Sequence, residues 1–160
     1  GGSAGPYRGA KFSLFEGGIR VPAIISWPGH LPAGEVRHQM AHSCDWLPTV
    51  AELCDVPLLQ QDIDGLSITS LIRSAAAKSP HKVTHWTIGN SWAVRSGDWK
   101  LIGNPRDTSN KGPLGKDDKL FLVNLKRDKT EMTNLAARHP DEVQRLKTLH
   151  DRWQTSLRKK

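Results

Sequence analysis

Three short runs rich in β-branched and aromatic residues, separated by glycine-containing turns, constrain the fold of this chain most. The runs are VTHWTIG at 83–89, SWAVRSG at 91–97 and DWKLIG at 98–103. Such runs are typical of neighbouring strands, and the Ser-Gly-Asp turn at 96–98 indicates a hairpin. KLFLVNL at 119–125 adds a fourth strand. The sequence therefore predicts an antiparallel sheet of four strands.

A long amphipathic helix is predicted near the end of the sequence. HPDE at 139–142 places a proline and two acids in a first helical turn. Apolar or aromatic side chains, together with one histidine, then recur at steps of three and four; they are Val143, Leu146, His150, Trp153 and Leu157. We expect this helix to cover one face of the sheet and to leave the other face to water, which makes a small α+β unit.

The first half of the chain carries a different pattern. VPAIISW at 21–27 is an apolar run that predicts a strand buried on both faces. MAHSCDWLPTVAELCDV at 40–56 predicts a helix with its N-cap at Ser43 or Asp45. SITSLIRSAAA at 67–77 predicts a short helix, and the polar stretch at 78–82 favours a domain boundary.

Both cysteines lie in the predicted helix at 40–56. Ten residues separate Cys44 from Cys54, which corresponds to about 15 Å along a helix and excludes a disulfide between them. Without paired histidines or further cysteines they form no zinc site, so we expect two buried thiols. The apolar stripe of this helix is expected to contain Leu47, Val50 and Ala51, together with Leu53 or Cys54.

Composition leaves the class of partner open. The net charge is +7, with most of the excess after residue 73, which suits an anionic partner such as nucleic acid or a sulfated sugar. Alternation of Lys and Arg with Asp and Glu, as in KDDK at 116–119, favours instead an ordinary solvated surface. No stretch approaches the roughly 20 apolar residues that a membrane-spanning helix needs.

Five segments, taken in order, resemble the type I sulfatases. RGAKFSLFEGGIRVPAIISWPG at 8–29 is similar to the family's Gly-x-Lys and Glu-Gly-Gly segment, and CDWLPTVAEL at 44–53 to its Asp-x-x-Pro-Thr helix. DGLSITSLI at 64–72 resembles an Asp-Gly segment of that family. AVRSGDWKLI at 93–102 and LFLVNLKRDKTEMTNLA at 120–136 resemble its C-terminal hairpin and the strand and turn before its last helix.

The resemblance implies a fold in two parts. Residues 1–77 would be the α/β end of an alkaline-phosphatase-like mixed-sheet catalytic domain. Residues 78–160 would be a small α+β C-terminal subdomain, with a four-stranded antiparallel sheet and a C-terminal helix. The implied activity is hydrolysis of sulfate esters, so the implied partner is a sulfated small molecule or polysaccharide, with no nucleic acid expected. The family's usual compartments are the periplasm, the extracellular space and the lysosome.

The resemblance also implies two cofactors whose residues this chain does not carry. The family's nucleophile is a formylglycine made from Cys or Ser in a Cys/Ser-x-Pro-x-Arg motif, and neither Cys44 nor Cys54 lies in such a motif. Its calcium ion is completed by an Asp-Asn or Asp-His pair shortly before the Gly-x-Lys segment. GGS at 1–3 resembles the family's residues directly after that pair. Nucleophile and metal ligands are therefore expected to precede residue 1.

Lys11 is the position that the resemblance marks as catalytic and substrate-binding. A primary ammonium there would hydrogen-bond a sulfate oxygen and offset the charge that develops as the S–O bond breaks. Around it, Gly9, Gly17 and Gly18 are expected to serve the backbone conformation. Glu16 and Arg20 are expected to pair, and Arg8 is a weaker candidate for contact with an anionic substrate.

His85 is the second candidate substrate contact, because many sulfatases bring a histidine or another polar residue from the C-terminal subdomain to the substrate cleft. Asn90 and Trp92 are weaker candidates on the same grounds. The alternatives are a phosphoesterase or phosphonate hydrolase of the same superfamily, or a basic module that stacks sugars or bases on Trp27, Trp86, Trp92 and Trp99.

Overall fold

The computed structural model describes residues 2–59, 62–112 and 114–157. Two compact units are present: one combines Gly1–Pro22 with Val83–Lys160, and the other is Ala23–Lys82. The segment that ends at Pro22 thus belongs with the sheet. The assignment of 1–77 and 78–160 to the two domains of a longer protein stays a prediction.

The first unit is built on the predicted sheet, whose strands lie in the order β1-β2-β3-β4 and are all antiparallel. The strands are β1 Val83–Ile88, β2 Ser91–Ser96, β3 Trp99–Gly103 and β4 Leu120–Asn124, and a short helix, α1 Glu16–Ile19, precedes them in the chain. Gly97 in the turn between β2 and β3 has a φ of 60°, a conformation that glycine adopts without steric cost. The four-stranded prediction is confirmed.

One face of the sheet is covered by helix α4, Pro140–Leu157. Leu146 is fully buried against Val94, Leu101 and Leu122 from three strands. The predicted stripe is correct at its centre, whereas Leu157 at its end is half exposed. Burial of these aliphatic side chains therefore holds the helix on the sheet.

The other face of the sheet is covered as well, so the prediction of a solvent-facing side was wrong. Leu14 and Phe15 pack there against Ala93, Ile102 and Phe121. The reason lies in β3 and β4, where successive residues are buried instead of alternate ones. Continuous apolar strands are typical of sheets covered on both faces.

The second unit contains short helices: a 3₁₀ helix at Ser43–Asp45, α2 at Trp46–Leu53 and α3 at Thr69–Arg73. Asp45 is fully buried, and its carboxylate accepts hydrogen bonds from the backbone N–H groups of His42 at 2.6 Å and Leu66 at 3.0 Å. Its side chain makes no cap bond to α2. Asp45 occupies the N-cap position of α2, as predicted, but its side chain ties the loop after α2 to the start of the helical segment instead of capping the helix.

Three expectations for the first half of the chain are wrong. Residues 21–27 form no strand, and the Val21 and Ile24 side chains are 76% and 92% exposed. Cys44 and Cys54 are exposed free thiols. Leu47 and Val50 of the predicted stripe are also exposed. An apolar run becomes a strand only where a neighbouring backbone accepts its hydrogen bonds, and no described residue pairs with this run in a sheet.

Candidate functional site

Lys11 lies at a tight turn in the first unit and is exposed. The turn is closed by a hydrogen bond from the Ser13 N–H to the Ala10 carbonyl at 3.0 Å. Phe12 has a φ of 71°, which is unusual for a residue with a large side chain, and the Lys11 Nζ lies 5.1 Å from the centre of its ring. A strained backbone thus presents the ammonium group to solvent.

The glycines let the Lys11 loop, which we define as residues 8–18, fold back on itself. Gly9 has a φ of 83°. The Gly17 N–H donates to the Arg8 carbonyl at 2.7 Å, and a Cβ atom at Gly17 would overlap the Gly9 carbonyl oxygen. A Cβ atom at Gly18 would overlap the Ser13 carbonyl oxygen in the same way. The loop therefore needs Gly9 for its dihedral angle and the other two for close backbone contact.

Arg8 is completely buried, so it cannot meet a substrate in this structure. Its Nε donates to Asp107 at 2.8 Å, and its Nη2 donates to the Gly112 carbonyl at 2.7 Å. The guanidinium carbon also lies 4.3 Å from the centre of the Phe15 ring. Arg8 fixes the start of the Lys11 loop, a role that the sequence did not reveal.

The segment 106–109 forms hydrogen bonds with the Lys11 loop. The Gly9 and Ala10 N–H groups donate to the hydroxyls of Ser109 at 2.9 Å and Thr108 at 3.1 Å. Burial raises the pKa of Asp107, but hydrogen bonds from Ser109, Arg8 and Gly112 outweigh it and hold the pKa at about 2. Asp107 is therefore ionised at any physiological pH and remains a firm acceptor for Arg8.

A buried ionic cluster fixes the other end of the loop. We call it the Lys100 cluster; it consists of Lys100, Glu16 and Glu131. The Lys100 Nζ lies 3.0 Å from Glu16 Oε1 and 2.9 Å from Glu131 Oε1, and Lys100 is fully buried. The expected pairing of Glu16 with Arg20 is confirmed at 3.8 Å. The sequence signal for this cluster was a lysine inside an apolar strand, because a buried charge requires a partner of opposite charge.

His85 lies on the opposite face of the sheet from the Lys11 loop. Its ring stacks on Trp153 of α4, with centroids 4.6 Å apart and planes inclined by 3°. It pairs across the sheet with Val94, which packs under α4. The structure therefore does not bring His85 together with Lys11. The substrate role of His85 stays a prediction, and the contact observed for it is packing against the helix.

Beside His85, the buried His150 stacks on Trp92 at 4.3 Å, and neither of its ring nitrogens has a hydrogen-bond partner among the described residues. Burial lowers the pKa of His150. Burial, and then the neighbouring His150, lower the pKa of His85 from 6.5 to about 4. Both imidazoles, one on β1 and the other on α4, are thus kept neutral between the helix and the sheet.

Acid is expected to destabilise the chain through His85. Between pH 6.5 and 4 the unfolded chain binds a proton at His85 that the folded chain does not, so stability falls as the pH falls. Because the ring is only half buried, we expect a loss of about 1–2 kcal/mol, less than the full shift would give. Urea unfolding at pH 7 and pH 4.5 measures it.

The matched variants for this prediction are His85→Phe, which keeps a ring on Trp153, and His38→Phe at an exposed position. His85→Phe should lose less stability on acidification than the wild type, and His38→Phe should lose as much as the wild type. An equal loss in wild type and His85→Phe would contradict the assignment.

The remaining polar centre belongs to the second unit. His81 Nε2 lies 2.8 Å from the Asp45 carboxylate, and the His42 ring centre is 6.1 Å from that of His81. Among the residues the structure describes, no group of three or more His, Cys, Asp or Glu side chains is arranged to hold a metal ion.

The tryptophans do not form an exposed stacking surface on the sheet. Trp86 packs against the cluster that contains Phe15, and Trp92 and Trp99 pack with the cluster under α4. Trp27 is 37% exposed and stacks on His30 at 4.1 Å. This arrangement counts against a module that binds bases or sugars by aromatic stacking.

No helix among the described residues is long and apolar enough to cross a membrane.

Comparison with known proteins identifies the class of protein that this chain resembles. A solved structure from work on the metabolism of multiple glycosaminoglycans by Bacteroides thetaiotaomicron has a TM-score of 0.71 and 25% identity over 94% of this chain and 32% of that chain. Arylsulfatase A of Homo sapiens is 32% identical over 93% of this chain and 33% of its own length. N-acetylgalactosamine-6-sulfatase of Homo sapiens is 36% identical over 58% of this chain and 21% of its own length.

These relatives are sulfatases, and the structural likeness confirms the fold class. A family model described as N-sulphoglucosamine sulphohydrolase, C-terminal, matches residues 9–159. The chain belongs to this family of sulfatase C-terminal regions. It spans about a third of the length of arylsulfatase A.

Proposed function

We propose that this chain is the C-terminal part of an enzyme that hydrolyses sulfate esters, with Lys11 as a group that contacts the sulfate. The observation that carries the proposal is an exposed ammonium on a strained turn whose two ends are fixed by buried ion pairs. The family match over residues 9–159 supports the reaction class.

Lys11 suits a tetrahedral oxyanion for electrostatic reasons. Within the described residues its ammonium forms no ion pair, so its charge is available to a ligand. An ammonium group has three donors and can hydrogen-bond a sulfate oxygen in the ground state and in the transition state. Because negative charge shifts within the sulfate as the S–O bond breaks, a positioned cation stabilises the transition state. Lys11 is a donor and not a proton carrier in this scheme.

We also propose that formylglycine and calcium act in the complete enzyme, with residues outside this chain providing them. When present, they would supply the nucleophile and polarise the sulfate. The described residues contain no cluster of three or more His, Cys, Asp or Glu side chains that could hold a metal ion, and neither cysteine lies in the modification motif. The contribution of this chain is to orient the sulfate through Lys11.

The proposed substrate is a sulfated carbohydrate. One relative is named for N-acetylgalactosamine 6-sulfate, and the solved relative comes from work on glycosaminoglycans. A secreted or lysosomal setting would fit these relatives. A panel of an aryl sulfate, a sulfated hexosamine and a steroid sulfate, given to the full-length protein, would separate the substrate classes, and preference for the steroid would overturn the carbohydrate proposal.

Replacing Lys11 with alanine in the full-length protein is expected to lower kcat for an aryl sulfate about 100-fold, because one preorganised donor to the developing charge is lost. Steady-state kinetics measure this effect. Lys116→Ala, at another exposed lysine, should leave kcat unchanged. The 160-residue chain alone serves as a blank without turnover. Full activity of Lys11→Ala, or turnover by the chain alone, would overturn the proposal.

A further inference from the structure

Glu131 connects both ends of the Lys11 loop. Its backbone carbonyl accepts a hydrogen bond from Arg8 Nη1 at 3.0 Å, at the start of the loop. Its carboxylate accepts a hydrogen bond from the Glu16 backbone N–H, near the end of the loop, and pairs with Lys100 at 2.9 Å. Glu131 is fully buried. One residue thus fixes the span on which Lys11 sits.

The backbone at Glu131 is strained. Its φ is 58°, in the left-handed region that normally favours glycine or asparagine. The turn before it is held by Asp128, whose carboxylate accepts hydrogen bonds from the N–H groups of Thr130 at 3.2 Å and Met132 at 2.8 Å. A large acidic side chain at such a position indicates that its carboxylate contributes more than the strain costs.

The surrounding charges favour a single arrangement of the loop. Burial raises the pKa of Glu131, and the opposing charge of Lys100 limits that rise. Lys100 in turn lies between Glu131 and Glu16, and each carboxylate is 3.0 Å or less from its Nζ. Any other loop position would leave a buried charge without its partner, which is strongly unfavourable. The cluster therefore has a narrow energy minimum around one geometry.

We propose that Glu131 is a positioning residue for catalysis, which sets the place of the Lys11 ammonium by fixing Arg8 and Glu16 at the two ends of the loop. This inference rests on the proposed role of Lys11. Glu131 is buried and does not itself touch the substrate. It acts through the loop, because a displacement of about 1 Å in a catalytic group is enough to lower the rate strongly.

The first test measures the loop itself. In the 160-residue chain, Glu131→Gln should raise amide hydrogen exchange at residues 9–18 about tenfold or more, and exchange in β2 and β3 should stay unchanged. Glu142→Gln removes a carboxylate from a surface ion pair on α4 and is the matched control, with no expected change in the loop. Unchanged exchange in the loop of Glu131→Gln would overturn the inference.

The second test is a double-mutant cycle in the full-length protein. Glu131→Gln should lower kcat about tenfold with KM changed less than about twofold, and should lower kcat no further once Lys11 is alanine, because the two residues act as one unit. An equal loss of kcat in both backgrounds would show that Glu131 acts elsewhere and would overturn the inference.

The two proposals fail in different ways. Full activity of Lys11→Ala overturns the proposed function, whatever exchange in the loop shows. A strong effect of Lys11→Ala together with unchanged exchange and kcat in Glu131→Gln overturns only the inference. If Glu131→Gln does not fold, Glu131→Asp keeps the charge but shortens the side chain, and the same measurements apply to it.

Discussion

Replacement of Phe15 by alanine is expected to lower the free energy of unfolding of the chain by about 3–5 kcal/mol, the range for a large aromatic side chain removed from a core. Phe15 is fully buried and contacts Phe121 edge to face at 5.1 Å. The Arg8 guanidinium also lies over its ring, so the substitution removes a cation–π contact at a buried charge. Urea unfolding monitored by circular dichroism measures the loss.

Phe12→Ala is the matched control, because Phe12 lies on the same loop but is 57% exposed. It should change the stability by about 0.5 kcal/mol or less. Similar losses in the two variants would mean that the segment ending at Pro22 does not cover the sheet in solution. The pair of variants thus tests the most unexpected contact of the fold directly.

Lys100→Met is expected to destabilise the chain by about 3–5 kcal/mol, because it leaves Glu16 and Glu131 buried without their shared cation. Methionine has nearly the length of lysine, so the effect comes from the charge and not from a cavity. The loss should become smaller in acid, because burial raises the pKa of Glu131 and a protonated Glu131 carries no buried charge that needs a cation. Urea unfolding at pH 7 and pH 5 measures both effects.

Lys147→Met is the control for this variant. Lys147 pairs with Asp151 on α4 at 2.8 Å, but both side chains are about half exposed. Solvent-exposed ion pairs contribute about 0–1 kcal/mol, so little change is expected. A loss at Lys100 no larger than that at Lys147 would show that the Lys100 cluster is not buried in solution.

The sheet and α4 could be predicted from the sequence because their signals are local. Glycine turns separate the strands, and the spacing of Val143, Leu146 and His150 defines one face of the helix. Each such pattern lies within a window of fewer than about 20 residues. The tertiary contacts of the folded chain are consistent with the secondary structure that each local pattern favours.

The cover on the second face of the sheet could not be predicted in the same way. Leu14 and Phe15 form a short apolar pair inside a glycine-rich segment. The segment has no periodicity that would indicate which structural element this pair packs against. The strand prediction for residues 21–27 was wrong for the opposite reason. The apolar pattern of this run is clear, but the neighbouring strand that it would need is not among the described residues. Hydrophobicity indicates that a segment will be buried and not which element will bury it.

For the candidate site, Lys11 was found by resemblance, and the residues that support it were not found. Arg8 is separated from Asp107 by 99 positions and from Glu131 by 123. Pairings at such separations leave no pattern in a single sequence. Physical reasoning could have flagged Lys100, since a charge in an apolar strand must be neutralised, but it could not have chosen its two acidic partners.

The anchoring of the Lys11 loop has a consequence for how the chain is made. Its partners lie 84 to 123 positions further along the sequence, so a ribosome has released most of the chain before they emerge. Contacts between residues this far apart in sequence form late in folding. The Lys11 loop therefore lacks its hydrogen bonds and ion pairs until β3, β4 and the turn that carries Glu131 have been synthesised and folded. Premature termination between residues 12 and 131 would therefore leave Lys11 in the polypeptide but without the geometry assigned to it.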